Sequence, residues 1–316
     1  MIKINDIPVG SVINKLNKSD ASLTKHLKTI PVTENGLPQV ELEGKISPLS
    51  VILLVPIGLV FFLRPFLSSV PKILYWGFLA AAVLLGLIGA SMIIAVLAKK
   101  RKQWEEQILL PIIKSRHPNA TVDENVPIFS INPVLPSFDR CYTLAHLNLG
   151  EVDVYDIKAD EESTDSDGDA SWFDVFRGQV VVKKLEKSIN GEIQVVPSKT
   201  GVLWERSEYV QRRELNKIET EDIKFNETHE VYATDRVESM RLLSPKKLGG
   251  LFNDPSSFLS QVKIAVYIKN DVAMFSFYTG ECLFSFATSF PTPVETMQII
   301  KFIDTELVGY VEEFLK

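Results

Sequence analysis

Residues 46–98 read ISPLSVILLVPIGLVFFL (46–63), RPFLSSVPK (64–72) and ILYWGFLAAAVLLGLIGASMIIAVLA (73–98). The outer runs hold 18 and 26 residues and no charge. At a helical rise of 1.5 Å per residue they span about 27 and about 39 Å, against a hydrocarbon core of about 30 Å. Backbone groups inside lipid need internal partners, so both runs are expected as helices of a transmembrane hairpin. Lys99, Lys100, Arg101 and Lys102 follow the second run and Lys45 precedes the first, whereas the short link carries Arg64 and Lys72. Lysine and arginine collect on the cytoplasmic side. The expectation is therefore a multi-pass protein of the cell membrane with both termini cytoplasmic.

The second run carries small residues at Ala82, Gly86 and Ala90, a spacing that lets another helix approach closely. Two partners fit the stripe: the first run, which offers Ser50 and Gly58 and has Pro56 as a kink point, or a second copy of the chain.

Charge is divided along the chain. Residues 1–102 hold 12 Lys/Arg and 5 Asp/Glu, which from totals of 34 and 40 leaves 22 and 35 for residues 103–316. A domain this acidic is unsuited to a phosphate backbone, so no nucleic-acid partner is expected. Cys141 and Cys282 match no metal or redox spacing and read as reduced, partly buried thiols.

Outside the hairpin the period of the sequence changes twice. Val12, Leu16, Leu23, Leu27 and Ile30, with Lys15, Lys18, Lys25 and Lys28 at polar positions, suggest an amphipathic helix. It would lie on an anionic membrane surface or pack on the cytoplasmic domain. Residues 31–45 read as a connector. Lys99 to Arg116 continues as helix, with Pro111 expected to interrupt or bend it and His117-Pro118 to end it. From about residue 125, strand-like runs follow at 142–149, 151–157, 173–185, 192–196, 230–234, 262–269 and 272–278, the last two joined at Asn270-Asp271. Residues 239–251 read as a short helical or irregular crossing. Residues 294–315 place Met297, Ile300, Phe302, Ile303, Leu307, Val308, Val311 and Phe314 on the face of a helix packed on a sheet. Such a pattern argues α+β, with a pleckstrin-homology-like closed sheet as an analogy.

Three stretches carry a family resemblance. Phe173-Asp-Val-Phe-Arg-Gly-Gln-Val-Val-Val resembles a Phe-x-Gly motif followed by an apolar strand. His229-Glu-Val-Tyr-Ala-Thr-Asp-Arg-Val-Glu-Ser-Met-Arg-Leu-Leu-Ser-Pro is similar to a block in which a strand end leads into a helix start. Val262 to Phe286 resembles a closing strand pair. With the paired apolar runs, these resemble a bacterial membrane-protein family known as domain-of-unknown-function family 3137. The resemblance implies architecture and transfers no functional residue.

Three groups of residues offer candidate chemistry. Asp160, Glu161, Glu162, Asp165, Asp167, Asp169 and Asp174 form an acidic stretch over 160–174 with the oxygen ligands calcium prefers. No EF-hand register fits it, and a solvated loop between strands is expected. His26, His117, His146 and His229 occupy no zinc-ligand spacing and read as isolated surface or strand histidines. Trp172, Phe173 and Phe176 read as core. No nucleophile elbow, phosphate loop or dinucleotide fingerprint occurs.

The reading is thus an α+β protein in four parts: a cytoplasmic tail (1–45), a transmembrane helical hairpin (46–63 and 73–98), a juxtamembrane helix and linker (99–124), and a cytoplasmic domain (125–316) with a largely antiparallel sheet and a C-terminal helix. The expected function is non-enzymatic binding of a protein, peptide or lipid head group beside the bilayer. The alternatives are a membrane enzyme built from dispersed carboxylates and a subunit of a larger membrane complex. No catalytic, cofactor or metal residue is assigned. The expected partners are the lipid bilayer and a protein, or a second copy, meeting Ala82, Gly86 and Ala90.

Overall fold

The structure is a computed structural model that describes residues 23–33, 37–38, 48–56, 72–123, 131–164, 170–198, 209, 215–245, 247–248, 258–284 and 290–316. The chain divides into two compact units: 36–112 with 286–293, and 1–35 with 113–285 and 294–316.

The first unit contains α2 (Pro48–Ile52) and α3 (Lys72–Trp104), which pack against each other. Among the described residues α3, continued by the turns after it, is the helix long and apolar enough to cross a membrane. Of the run 46–63 only residues 48–56 are described, so its role as a second span lies partly outside the described residues. Exposed apolar side chains (Trp76, Phe78, Val83, Leu84, Leu85, Leu87, Ile88, Met92 and Ile94) cover about two-thirds of the α3 circumference at 3.6 residues per turn. The remaining face carries Ala82, Gly86 and Gly89, all buried, and half-buried Ala90. Small side chains let the backbones approach, which is the physical use of that spacing.

Pro111 does not stop the helix. A widened turn over Glu105–Leu109 precedes it, closed by the Leu110 N–H on the Glu105 carbonyl. Proline has no N–H to return to residue 107, and the wider turn absorbs the mismatch. Helix α4 (Leu110–Arg116) then runs to the His117-Pro118 stop.

The second unit is built on one antiparallel sheet of nine strands among the described residues. They are β1 (Thr121–Asp123), β2 (Arg140–Asn148), β3 (Val152–Thr164), β4 (Ala170–Lys184), β5 (Glu192–Pro197), β6 (Asn216–Ile218), β7 (His229–Ala233), β8 (Lys263–Lys269) and β9 (Val272–Tyr278). Their spatial order is β1-β2-β3-β4-β9-β8-β5-β7-β6. All seven expected strands are present, and the two additions, β1 and β6, are three-residue strands at the two ends of the sheet. Three residues give no readable alternation, which is why the sequence did not announce them. Among the described residues the sheet is open rather than closed in the pleckstrin-homology manner: β1 and β6 are its termini and each has one described neighbour.

Both faces of the central strands are covered. One face carries Tyr155, Ile157, Ala159, Phe176, Val180, Val196, Tyr232, Ala265 and Tyr267, packed with Ile131, Val134 and Leu135 from the segment before β2. There Ser276 Oγ donates to the Val134 carbonyl (2.6 Å) and Gln194 Nε2 to the Pro133 carbonyl (2.9 Å), so the crossing segment's polar groups are satisfied. The other face receives the C-terminal helix: α7 (Pro293–Phe302), a widened stretch Ile303–Val308, and α8 (Gly309–Leu315). Phe314 and Tyr310 meet Phe275 edge-on at 5.2 and 6.4 Å, and Tyr310 meets Phe277 at 5.6 Å. Ile300, Phe302, Ile303, Leu307, Val311 and Phe314 are fully buried, as the apolar period of 294–315 requires.

Two sequence motifs have direct structural causes. A Cβ on Gly178 would lie 1.9 Å from the Phe277 carbonyl oxygen, so the Phe-x-Gly step is glycine because β9 crosses it too closely for any side chain. In the 229–245 block, Asp235 caps α6 (Arg236–Leu242), accepting from the N–H groups of Val237 (2.8 Å) and Glu238 (3.2 Å).

Candidate functional site

The most buried charge-bearing group in the sheet domain is Asp156, on the helix-side face of β3. Its carboxylate accepts from Gln179 Nε2 (2.9 Å) and from the N–H groups of Leu283 (3.0 Å) and Phe284 (2.9 Å). Burial pushes its pKa up to about 6, and the three donors hold that rise back. Gln179 reaches onward: its Nε2 lies 3.2 Å from the Glu281 carbonyl, and its Oε1 accepts from Thr279 Oγ1 (3.0 Å). Asp156 and Gln179 are direct cross-strand partners, which brings the node together. The consequence is a fixed turn, 279–284, that carries the Glu281 side chain.

Glu281 holds the N-terminal segment. Its carboxylate accepts from the Thr24 N–H (2.9 Å) and from the Thr24 hydroxyl, at the start of α1 (Leu23–Leu27). Two residues on, the His26 ring stacks on Phe258 (4.3 Å between centroids), meets Phe302 edge-on (6.0 Å), and sets Nε2 2.6 Å from Glu306 Oε1. Farther along, Gln298 Nε2 donates to the Ile30 carbonyl (3.2 Å) and Lys301 Nζ to the Pro31 carbonyl (2.6 Å). Leu23 is buried. Residues 23–31 therefore lie as a strap in a groove walled by the 279–284 turn, Phe258 and the C-terminal helix. Of the two expectations for this segment, packing on the domain is what the described part does.

The widened stretch 303–308 of the C-terminal helix gathers a second histidine. Asp304 is paired with Arg116, and its Oδ1 lies 2.9 Å from His117 Nε2. His146 stacks on Tyr155 (4.5 Å) with Nε2 2.8 Å from Asp153, and His229 stacks on Phe225 of α5 (Ile223–Thr228) at 4.6 Å, where burial lowers its pKa to about 4. The four histidines are thus each built into an aromatic or carboxylate contact rather than isolated. They come from scattered positions, and only the pairing of strands and helices brings their partners near.

The acidic stretch corrects the sequence reading. Strand β3 continues to Thr164 and β4 begins at Ala170, so Asp160, Glu161, Glu162 and Asp174 lie in a β-hairpin arm; Asp165, Asp167 and Asp169 lie outside the described residues. Strands with charge on both faces show no apolar alternation, so their sequence pattern is that of a loop. Lys158 Nζ bridges Asp160 (3.0 Å) and Asp174 (3.1 Å), and Arg177 pairs with Asp174 (2.5 Å). Burial raises Asp160, aided by its hydrogen bond to Asp174 and opposed by Lys158. Asp174 resists burial and is lowered by Asp160, Lys158 and Arg177. Asp160 and Asp174 thus share Lys158, and Asp174 has Arg177 as well, an arrangement that stiffens the arm. Trp172 is a second correction: it is 38% exposed, with the Arg140 guanidinium 3.5 Å over its ring, whereas Phe176 is core as expected.

Among the described residues no group of three or more His, Cys, Asp or Glu could hold a metal ion. Cys141 and Cys282 are free and half-buried; burial pushes Cys141 up to about 12 and Cys282 up as well. Sequence reasoning missed Asp156, Gln179, Glu281, Asp304 and Glu306. A single Asp at the centre of Val-Tyr-Asp-Ile was the one local sign.

No curated protein matches the chain. Among solved structures, the crystal structure of the mycobacterial trehalose monomycolate transport factor A, TtfA, is similar at a TM-score of 0.31 and 10% identity, covering 66% of this chain and 92% of that one. A likeness so loose carries no argument about fold or function. The matched family region begins at β4, so the apolar runs lie outside it. Residues 174–312 match the family described as Protein of unknown function (DUF3137), the same family that the sequence resembles.

Proposed function

We propose that the chain is a membrane-anchored binding protein, in which α3 crosses the bilayer and the sheet domain takes a protein, peptide or lipid head group on the basic, cytoplasmic side. One observation carries the reading: α3 leaves large apolar side chains uncovered around most of its circumference, with Ile94 65% and Trp76 62% exposed. Apolar surface left in water costs about 25 cal/mol per Å², and lipid removes that cost. Lys99 to Lys102 follow at the boundary expected of a cytoplasmic flank. In the same proposal, residues 46–63 supply the second span. Their described part already packs on α3, which favours packing of Ala82, Gly86 and Ala90 within the chain over self-association.

A dispersed-carboxylate enzyme would have to draw on Asp156, Asp160 and Asp174. Gln179 and two backbone N–H groups engage Asp156, while Lys158 and Arg177 pair with Asp160 and Asp174, which supports structural roles for these carboxylates.

Alkaline carbonate extraction followed by protease treatment of sealed vesicles tests the reading. The expected result is a chain that stays in the pellet, with a C-terminal domain cleaved only from the cytoplasmic face. Release by carbonate, or cleavage from the opposite face, would refute the anchor or its orientation.

A further inference from the structure

We propose that the groove holding residues 23–31 is the domain's peptide-binding site, occupied in cis, and that its external ligand is a short basic peptide segment of a partner protein that displaces the strap. The inference rests on the binding reading above and names its site and ligand class.

The contacts describe what the groove recognises. Glu281 takes a backbone N–H and a hydroxyl from one residue. Two residues later Phe258, Phe302 and Glu306 take an aromatic cation-former by stacking and by its ring N. Gln298 and Lys301 then read two successive backbone carbonyls, which any peptide supplies. The two carboxylates on the groove wall are complementary to the strap, which carries Lys25, His26 and Lys28 within four residues. A ligand should therefore present a hydroxyl residue, then a histidine or arginine two positions on, in a basic context.

The same contacts make the strap releasable. The strap contributes no strand to the sheet, and every hydrogen bond described above between it and the groove has a side chain on at least one side. Thr24, Lys25, Lys28 and Thr29 are exposed. Bonds made by exposed or half-buried side chains are individually weak, so such a segment opens locally while the buried strands stay paired. Opening would uncover Phe258 and Phe302 beside two carboxylates, and mass action then lets a matching peptide compete.

The test uses the full chain in detergent and a fluorescent peptide of its own residues 21–33, read by anisotropy. A Thr24→Ala, His26→Ala chain should bind the peptide at least 10-fold more tightly than the unaltered chain. Adding Glu281→Gln and Glu306→Gln should abolish that gain. Equal binding to unaltered and strap-weakened chains would overturn occupancy in cis. Binding to neither, or binding that survives the two groove substitutions, would overturn the site. A partner captured elsewhere, for instance on the Trp172 arm, while the peptide fails to bind would sink this inference and leave the binding reading standing.

Discussion

Asp156→Asn isolates the price of burying one charge. The carboxyl's pKa rises from 3.8 to about 6 on folding, because burial outweighs three hydrogen bonds. Two pKa units correspond to about 3 kcal/mol between protonation states. The sign follows from proton counting: between pH 4 and 6 the folded chain binds more protons at this group than the unfolded chain does. Folding stability from Asp156 therefore falls by about 3 kcal/mol in total as pH rises, most steeply through that window, and is flat above about pH 7. Asparagine removes the titration but turns an N–H toward the Phe284 or Leu283 N–H, an opposition worth about 1–3 kcal/mol. At pH 7 the two chains should thus differ little, while at pH 4 the unaltered chain should be the more stable by about 2 kcal/mol. Urea unfolding of both chains in detergent at pH 4, 5, 6 and 7 measures the difference, in which titrations common to both cancel. A difference that is constant across this range, or that grows toward pH 7 in favour of aspartate, would refute the reasoning.

Three further outcomes are expected. Gly178→Ala should lose several kcal/mol, because a Cβ 1.9 Å from the Phe277 oxygen forces β4 and β9 apart; urea midpoints for this chain and for the control Gly309→Ala, at helical φ −57 with 3.6 Å of room, should separate clearly. Asp235→Ala should cost about 1 kcal/mol through loss of the α6 cap, with Asp235→Asn recovering most of it in the same assay. Cys141 and Cys282 should react with maleimide at pH 8 far more slowly than an unfolded control, since burial disfavours both thiolates; rates equal to the control would contradict their placement.

Where side chains alternate or follow a helical period against a core, the sequence was readable. Val272 to Tyr278 and the run Ile300 to Phe314 are of this kind, and they form the strand and helix expected of them. The arm was not readable, because Asp160 to Thr164 and Ala170 to Asp174 bury little and gain their strand geometry from pairing with each other. The groove was still less so. Thr24 and Glu281 are 257 positions apart, and His26 and Glu306 are 280 apart, so no local pattern could join them. Gly178 lies between these cases: its glycine was visible as a motif, and only the approach of β9 explains it.

The strand order has a consequence for how the chain is made. β1 to β4 form a meander of sequential neighbours, yet β4 pairs with β9 and β5 pairs with β8. The β8–β9 hairpin is the keystone between two half-sheets, and it is synthesised after both of the strands it joins, β4 and β5. Until it arrives, the facing edges of β4 and β5 have no partner, and open strand edges are where chains mispair. Long-range closure of this sort also slows folding. The nascent domain thus spends its vulnerable interval as two unfinished halves, and the tight Asn270-Asp271 turn, with Asn270 at φ 53, is what lets the keystone enter ready-made.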